Sequence, residues 1–426
     1  MALSEAEGGK IELVRTGAAS DRIPFEMKTI LCLSSFEKGA AFMRQAKAEG
    51  WRVLLLTGES LKNADWPREA LDDIFALPDP NKEWNMADMI KAVSYLARKV
   101  KIDRIVALDD FDVEKAALLR EHLRVPGMGD TTARNFRDKL AMRGRALDAG
   151  IAVPEFSGVF NDEEVNTYIT SVPGPWVLKP RFQANAIGIK KCATGEDVWR
   201  ELDALGDSRS QFLIERFIPG EICHVDSIVV NEKVIFACAS QYGTPPMEVF
   251  HGGRVFTTRT VVPGSELEKK LFVVNQQIMK GLGLKYGVSH SEFIVSETGE
   301  VFFLETSARV GGAHIAELVE AATGINLWQA WATLECSEDP AKAKFKPGKR
   351  KHGTLMATLA SQRQPDMSSY NAKEVVWKLN KPQHAGLIIA SPDYDRVTKL
   401  TDEYVARFYE DFFMRLPAAE NAAQMG

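Results

Sequence analysis

The pattern of apolar segments changes part-way along the chain, and this change limits the folds that the chain can adopt. In the first 125 residues, short apolar runs such as KTILCLS (28–34) and WRVLLLTG (51–58) alternate with segments of helical spacing. Strands that alternate with helices predict βαβ units and a parallel sheet. In the second half, short strands follow one another in pairs, for example SEFIVS (291–296) and VFFLETS (301–307). We therefore expect an α/β unit followed by an α+β unit.

Composition disfavours several classes of protein. The formal net charge of −5 argues against nucleic acid as a partner, because binding to a phosphate backbone needs a basic face. No apolar segment reaches the ~18 residues that span a bilayer, and the N-terminus has no apolar signal core. The five cysteines form no CxxC motif and the seven histidines no HExxH motif, which disfavours disulfides and a zinc site. We expect a cytoplasmic protein that binds no membrane.

One predicted hairpin carries two acids that suit a divalent cation. Glu292 lies at the start of one strand and Glu305 at the end of its partner, with a turn at 297–299 between them. Pairing of the strands would bring both carboxylates to the same end of the hairpin, and Arg309 follows. Hard oxygen ligands of this kind hold cations that bridge a polyphosphate. The alternative is two solvent-facing strand acids and an unrelated arginine.

Other polar residues fit a nucleotide site less specifically. The extended segment 215–218 in IERFIPGE can offer backbone groups to an adenine edge, although a surface turn is the alternative. Lys139 and Lys179 can reach phosphate as point charges, although single lysines are usually surface residues. Asp109 and Asp110 end a strand of the first unit, where open α/β sheets bind ligands; a helix N-cap is the favoured interpretation.

Together these features resemble the ATP-grasp superfamily, and in particular its carboxylate–amine ligases, including the amino-acid ligase branch. The resemblance covers roughly residues 28–335. It is carried by the segments RDK, LKP, IERFIPGE, SHSEF, GEVFFLETSARVGG and EAATGINL. It implies a parallel α/β pre-ATP-grasp N-terminal domain followed by an ATP-grasp domain with two α+β subdomains.

The expected domain boundaries follow from this resemblance. Residues 1–25 are expected to be disordered or loosely packed, and 26–130 to form the pre-ATP-grasp domain. Residues 131–340 are expected to form the ATP-grasp domain, with a small lid subdomain at about 150–215 and a nucleotide and metal subdomain at about 216–340. Residues 341–426 are expected to complete that fold.

The resemblance also implies ATP and Mg²⁺ as cofactors, with Mn²⁺ as an alternative ion. The implied catalytic residues are Arg309 and Lys179. The implied nucleotide-binding residues are Lys139, Lys179, Gly188, Glu215, Arg216, Phe217, Ile218, Glu221 and His224. The implied metal ligands are Glu292, Glu305 and Ser307. The implied substrate-binding residues are His251, Arg254, Arg259, His290, Gly311, Gly312 and His314, although a plain surface loop at 250–260 and a core position for His290 are the alternatives.

The chain departs from the usual pattern at three places. In the loop 181–188, Gln183 and Asn185 stand where glycines are usual. Ser307 replaces the asparagine that normally follows the second metal-binding acid. The usual ribose-binding acid would fall near Ile222, so Glu221 or His224 would have to substitute, with Glu221 slightly favoured.

The implied activity is ATP-dependent amide formation through an acyl phosphate, with release of ADP and phosphate. The substrates would be a small carboxylate and an amine, both expected to be amino acids, and a homodimer is expected on resemblance alone. Activation of bicarbonate, ATP binding without catalysis and a kinase-like activity are the alternatives.

Overall fold

The computed structural model describes residues 3–6, 10–13, 27–184, 187–245, 249 and 254–414. Near the N-terminus, Leu3–Ala6 and Lys10–Leu13 pair as a small antiparallel ribbon. Most of the remaining N-terminal stretch lies outside the described residues, so its expected loose packing stays a prediction.

A four-stranded parallel sheet, here called the N-terminal sheet, confirms the α/β unit. Its spatial order is Asp73–Leu77, Arg52–Gly58, Thr29–Ser34 and Arg104–Ala107. Every residue of the two central strands is buried, because helices cover both faces. Leu31 and Leu33 pack with the helices Met86–Ala97 and Val113–Leu123, whereas Ile30 and Cys32 pack on the other face. That other face is covered by the helices Ala40–Ala48 and Leu327–Cys336.

A second sheet, here called the small sheet, has four antiparallel strands. Its order is Phe156–Gly158, Phe212–Arg216, Trp176–Pro180 and Lys190–Cys192. The helices Asp162–Ser171 and Gly195–Leu205 pack on it through a separate apolar cluster. A capping box formed by Thr194 and Asp197 fixes where the second of these helices begins.

The third sheet, here called the large sheet, has eight strands, all antiparallel. Its order is Val301–Ser307, Tyr286–Ser296, Gly220–Val230, Lys233–Tyr242, Phe256–Thr260, His352–Leu359, His384–Ser391 and Val375–Lys378. The last three strands come from the C-terminal part of the chain, so this part extends the sheet that carries the two hairpin acids.

The remaining helices lie around these sheets. They are Asp130–Arg134, Lys139–Asp148, Glu266–Leu282, Ile315–Thr323 and Tyr394–Asp411. Short 3-10 helices span Glu59–Leu61, Arg68–Ala70, Pro80–Lys82, Asp110–Asp112, Gly206–Gln211 and Pro340–Lys342. Among the described residues, no helix combines the length and the apolar character needed to cross a bilayer.

Candidate active site

A cavity of about 460 Å³, here called the central cavity, is lined by residues of the small and large sheets and by Asp110 from the N-terminal domain. Twelve of the residues predicted from the sequence line it. They are Lys139, Lys179, Glu215, Arg216, Phe217, Ile218, His290, Glu292, Glu305, Ser307, Arg309 and Gly312.

The two hairpin acids face each other across neighbouring strands. Glu292 pairs directly with Glu305, and His290 pairs with Ser307 two positions away. Because side chains alternate along a strand, all four lie on one face of the sheet. Glu292 lies in the middle of its strand, which begins at Tyr286, and not at its start as the sequence suggested.

The oxygen atoms at this face suit Mg²⁺. The two carboxylates and the Ser307 hydroxyl are hard ligands of the type that Mg²⁺ prefers. The Tyr242 hydroxyl donates to Glu292 Oε1 at 2.7 Å, and Lys139 Nζ lies 3.1 Å from Glu305 Oε2. Glu305 therefore already attracts a positive charge, and the donor set fits the ion that the resemblance implies.

Lys179 belongs to a buried cluster of three charged groups. Its Nζ lies 2.5 Å from Glu215 Oε1, while Arg143 donates from Nε to Glu215 Oε2 at 3.1 Å. The exposed fractions are 3% for Lys179, 4% for Glu215 and 0% for Arg143. Burial lowers the pKa of Lys179 to about 8, against the opposing effect of Glu215. Burial raises the pKa of Glu215, but Arg143 and Lys179 outweigh it and leave that pKa below its ordinary value.

Arg143 was not among the residues predicted from the sequence. The residue lies four positions after Lys139 on the helix Lys139–Asp148, so both side chains lie on one helical face. That spacing was the available signal. The Glu215 carboxylate is occupied by its two cations, while the 215–218 segment lines the central cavity as predicted.

The three residues of the RDK segment all bind the start of the glycine-poor loop. Arg137 Nη2 donates to Phe182 O at 2.6 Å, and Lys139 Nζ donates to Gln183 O at 2.6 Å. Asp138 accepts from Arg181 Nε at 2.8 Å and from Leu140 N, where it caps the helix. The start of the glycine-poor loop is thus tied to the helix through its carbonyl groups.

The rest of that loop is only partly described. Asn185 lies outside the described residues. Gly188 does not line the central cavity, but it has φ +72°, and a Cβ there would lie 2.9 Å from Pro180 Cγ. Both observations favour glycine at this position.

Asp110 is the residue whose favoured interpretation was wrong. Asp109, and not Asp110, accepts the capping hydrogen bond, from Phe111 N at 3.0 Å. Asp110 lines the central cavity, where it accepts hydrogen bonds from the Ser307 hydroxyl and from Arg137 Nη1. Burial raises the pKa of Asp110, but Arg137 and Arg309 outweigh it and lower the pKa to about 2.

Two histidines share one buried carboxylate beside the acids. His224 Nδ1 and His290 Nδ1 lie 2.8 and 2.9 Å from the two oxygens of Asp226, and His224 Nε2 lies 2.8 Å from Thr258 Oγ1. The ligand atoms of the three residues come within 4.8 Å of one another, as in a metal site, but their spacing is that of hydrogen bonds. Asp226 was not among the residues predicted from the sequence.

Neither candidate for the ribose-binding acid lines the central cavity. His224 is fully buried and Glu221 is exposed, so this assignment stays a prediction.

Several predicted substrate residues also do not line the central cavity. Arg254 is exposed, and Arg259 donates to Thr398 Oγ1 at 3.1 Å. The His314 ring lies 4.9 Å from the Trp377 ring, and Gly311 packs against the buried Asp226. His251 lies outside the described residues.

Comparison with known proteins bears on the same region. Residues 172–317 match the family described as "ATP-grasp domain". The chain contains an ATP-grasp domain. The match includes Lys179, Glu215, Glu292, Glu305 and Arg309.

Several curated relatives of the chain are ligases by name. An L-arginine-specific L-amino acid ligase of Bacillus subtilis is 24% identical over 247 residues, which cover 56% of this chain and 59% of that protein. An alanine–anticapsin ligase of Bacillus subtilis (strain 168) is 20% identical over 273 residues, covering 58% and 57%. The chain thus spans less than two thirds of the length of each relative.

Solved structures share the fold over most of the chain. An L-amino acid ligase from Bacillus licheniformis superposes with a TM-score of 0.71 at 15% identity, covering 91% of this chain and 99% of that one. An N5-carboxyaminoimidazole synthetase from Staphylococcus aureus, complexed with ADP, superposes with a TM-score of 0.66 at 15% identity, covering 89% and 97%. The fold is therefore the predicted one.

Proposed function

We propose that this chain is an ATP-dependent carboxylate–amine ligase. The observation that carries the proposal is a single cavity in which a facing pair of carboxylates, Glu292 and Glu305, lies with Lys139, Lys179 and Arg309. Transfer of a phosphoryl group requires acids that hold a divalent metal ion and positively charged side chains that bind the phosphates, and this cavity offers both.

The reaction proceeds in two steps. A substrate carboxylate oxygen attacks the γ-phosphorus of ATP, the bond between that phosphorus and the bridging oxygen breaks, and ADP leaves. An amine then attacks the acyl carbon and loses a proton, and the bond to the phosphate oxygen breaks. The amide and phosphate are the products. Activation is needed because phosphate is a far better leaving group than a carboxylate oxygen.

The proposed roles of the residues are supported by their positions in the central cavity. Lys139 and Lys179 bind the α- and β-phosphates as point charges. The extended backbone at 215–218 binds adenine. Arg309 stabilises the charge on the moving phosphoryl group. Glu292, Glu305 and Ser307 would hold Mg²⁺, which neutralises phosphate charge when bound.

The substrates are proposed to be amino acids. The support is that relatives in two comparisons are named amino-acid ligases. The superposition includes 99% of the solved L-amino acid ligase, although at 15% identity that likeness concerns the fold alone.

The proposal is tested by measuring phosphate release from Mg·ATP with amino acids offered singly and in pairs. We expect equal amounts of ADP and phosphate only when a carboxylate and an amine are both present, and an amide product by mass spectrometry. Lys179→Ala is the inactive control. Release that depends on bicarbonate, ADP without phosphate, or ATP binding without ADP would each refute amide formation and indicate one of the alternative activities.

A further inference from the structure

Asp110 is the one residue of the N-terminal domain that lines the central cavity within the described part of the chain. It follows the edge strand Arg104–Ala107 and begins a short 3-10 helix. It is 8% exposed, and both of its carboxylate oxygens are used. One accepts from Ser307, which lies 197 positions later in the sequence, and the other accepts from Arg137.

The contact with Ser307 determines where the hydroxyl proton points. A hydroxyl has one proton to donate and two lone pairs, whereas an ionised carboxylate can only accept. The second oxygen of Asp110 is paired with the buried Arg137 guanidinium, and a carboxylate in such an ion pair accepts and does not donate. The Ser307 proton is therefore directed at Asp110, and the lone pairs of its oxygen are left for other partners. Ser307 lies on the same strand face as Glu305, two positions away.

We propose that Asp110 is a positioning residue, which orients the Ser307 hydroxyl so that its lone pairs face the cation held by Glu292 and Glu305. The inference rests on the proposed function. It accounts for the departure at this position: an asparagine carbonyl is a cation ligand in any setting, whereas a hydroxyl becomes an equivalent ligand only when its proton is held elsewhere. Here the N-terminal domain supplies the acceptor.

A second cation lies near the same oxygen. Arg309 Nε is 3.9 Å from Asp110 Oδ1, which is beyond hydrogen-bond distance, and it has no hydrogen-bond partner of its own. Arg309 is held instead by Nη1, which donates to Val310 O at 2.8 Å. Ser307 and Arg137 are therefore the direct partners of Asp110.

Asp110→Asn is the most informative variant. The amide has the same shape as the carboxylate but only one acceptor oxygen, and the buried Arg137 guanidinium will take it. The amide NH₂ then faces Ser307 and uses one of its lone pairs. Asp109→Asn is the matched control, because Asp109 is adjacent and only 3% exposed but pairs with Lys38 and does not line the central cavity.

The experiment measures the Mg²⁺ concentration that gives half-maximal binding of a non-hydrolysable ATP analogue, by calorimetry on the full chain. Loss of one hydrogen bond to a charged group predicts that Asp110→Asn raises this concentration roughly tenfold. Ser307→Ala should raise it by a similar factor, and the double variant should be no worse than Ser307→Ala, because Asp110 acts through Ser307. Asp109→Asn should leave it unchanged.

Other results separate the possible failures. The inference would be overturned if the double variant raised the Mg²⁺ concentration by the product of the two single factors. It would also be overturned if Asp110→Asn melted at a lower temperature but kept the wild-type Mg²⁺ requirement. Both results would leave the proposed function standing. If Asp110→Asn fails to fold, the comparison of Ser307→Ala with Ser307→Asn decides, since wild-type Mg²⁺ dependence in Ser307→Ala would show that the hydroxyl is not a ligand. No binding of the analogue by the wild-type chain would overturn both proposals.

Discussion

The charges in the buried cluster of Lys179, Glu215 and Arg143 predict which substitutions lower the free energy of unfolding. Two cations share one carboxylate, and none of the three residues is more than 4% exposed. The cluster therefore carries a net charge of about +1 with Glu215 ionised. Removal of one cation leaves a neutral pair, whereas removal of the carboxylate charge leaves two buried cations without a counter-ion.

The two substitutions should therefore differ strongly in cost. Glu215→Gln leaves uncompensated buried charge, and losses of that kind cost about 3–5 kcal/mol. Lys179→Met keeps most of the side-chain volume, leaves Arg143 paired with Glu215, and removes the cost of burying an ammonium. We expect it to change the free energy of unfolding by about 1 kcal/mol or less, while it abolishes nucleotide binding.

Urea unfolding followed by circular dichroism measures the free energy of unfolding, and calorimetry with ATP measures nucleotide binding. The exposed Lys190→Met, on the neighbouring strand of the small sheet, is the control for loss of a lysine. Equal destabilisation by Lys179→Met and Glu215→Gln would refute the charge argument. ATP binding by a folded Lys179→Met variant would refute the assignment of Lys179 to phosphate.

Other outcomes concern the acids and the pH. Glu305→Ala should abolish ADP formation with the fold intact, while Glu297→Ala in the exposed turn of the same hairpin should not; near-normal ADP formation by Glu305→Ala would contradict the metal assignment. ATP binding above pH 8 should take up protons, because burial lowers the pKa of Lys179 to about 8 and phosphate favours its charged form; calorimetry in buffers of different ionisation enthalpy measures this uptake, and a buffer-independent heat would contradict it. Burial disfavours charged His290, but the nearby Asp226 outweighs burial and raises the pKa of His290 to about 9. The ion pair of His290 with Asp226 therefore stabilises the fold fully below about pH 6.5, and this contribution is lost as the pH rises through 9. Urea unfolding at pH 6 and pH 10 should show a loss of roughly 3 kcal/mol that is missing in His290→Asn.

Local patterns were sufficient for the fold and for the acid pair. The alternation of apolar runs with helical segments is a short-range signal, and it predicted the parallel sheet correctly. Glu292 and Glu305 are separated by 13 positions, and the chain reverses between them at Gly299, which has φ +78°. The turn brings the two acids close together, and a shift of register between Glu292 and Phe293 then sets Glu292 directly opposite Glu305. The closeness can be read from the sequence, whereas the shift cannot.

Contacts between distant segments could not be predicted in this way. Asp110 begins a 3-10 helix that follows the N-terminal sheet, whereas Ser307 ends a strand of the large sheet. Arg143 meets Glu215 only because the helix that carries it lies against the small sheet. Strand parity also bears on the ribose-binding acid, whose assignment stays a prediction. Ile222 lines the central cavity, and side chains on the strand Gly220–Val230 alternate between faces, so Glu221 points away from it. The parity of the strand argued against Glu221 from the beginning.

The electrostatics of the site give a reason for the close pairing of its charges. A cavity that binds both a polyphosphate and a divalent cation needs cations and carboxylates a few ångströms apart, and these attract one another. Lys139 lies 3.1 Å from Glu305, and Lys179 lies 2.5 Å from Glu215. A metal ion at Glu305 must compete with Lys139, and a phosphate at Lys179 must compete with Glu215.

Binding of Mg·ATP therefore exchanges ion pairs of the protein for ion pairs with the ligand. Under the proposed function the metal takes Glu305 and the phosphates take Lys139, so each ligand would release the group that the other needs. Nucleotide and metal should for this reason bind cooperatively, so that ATP binds more tightly with Mg²⁺ than without it. Measurement of the ATP affinity in both conditions tests this. Equal affinities would indicate that the two lysines have other roles.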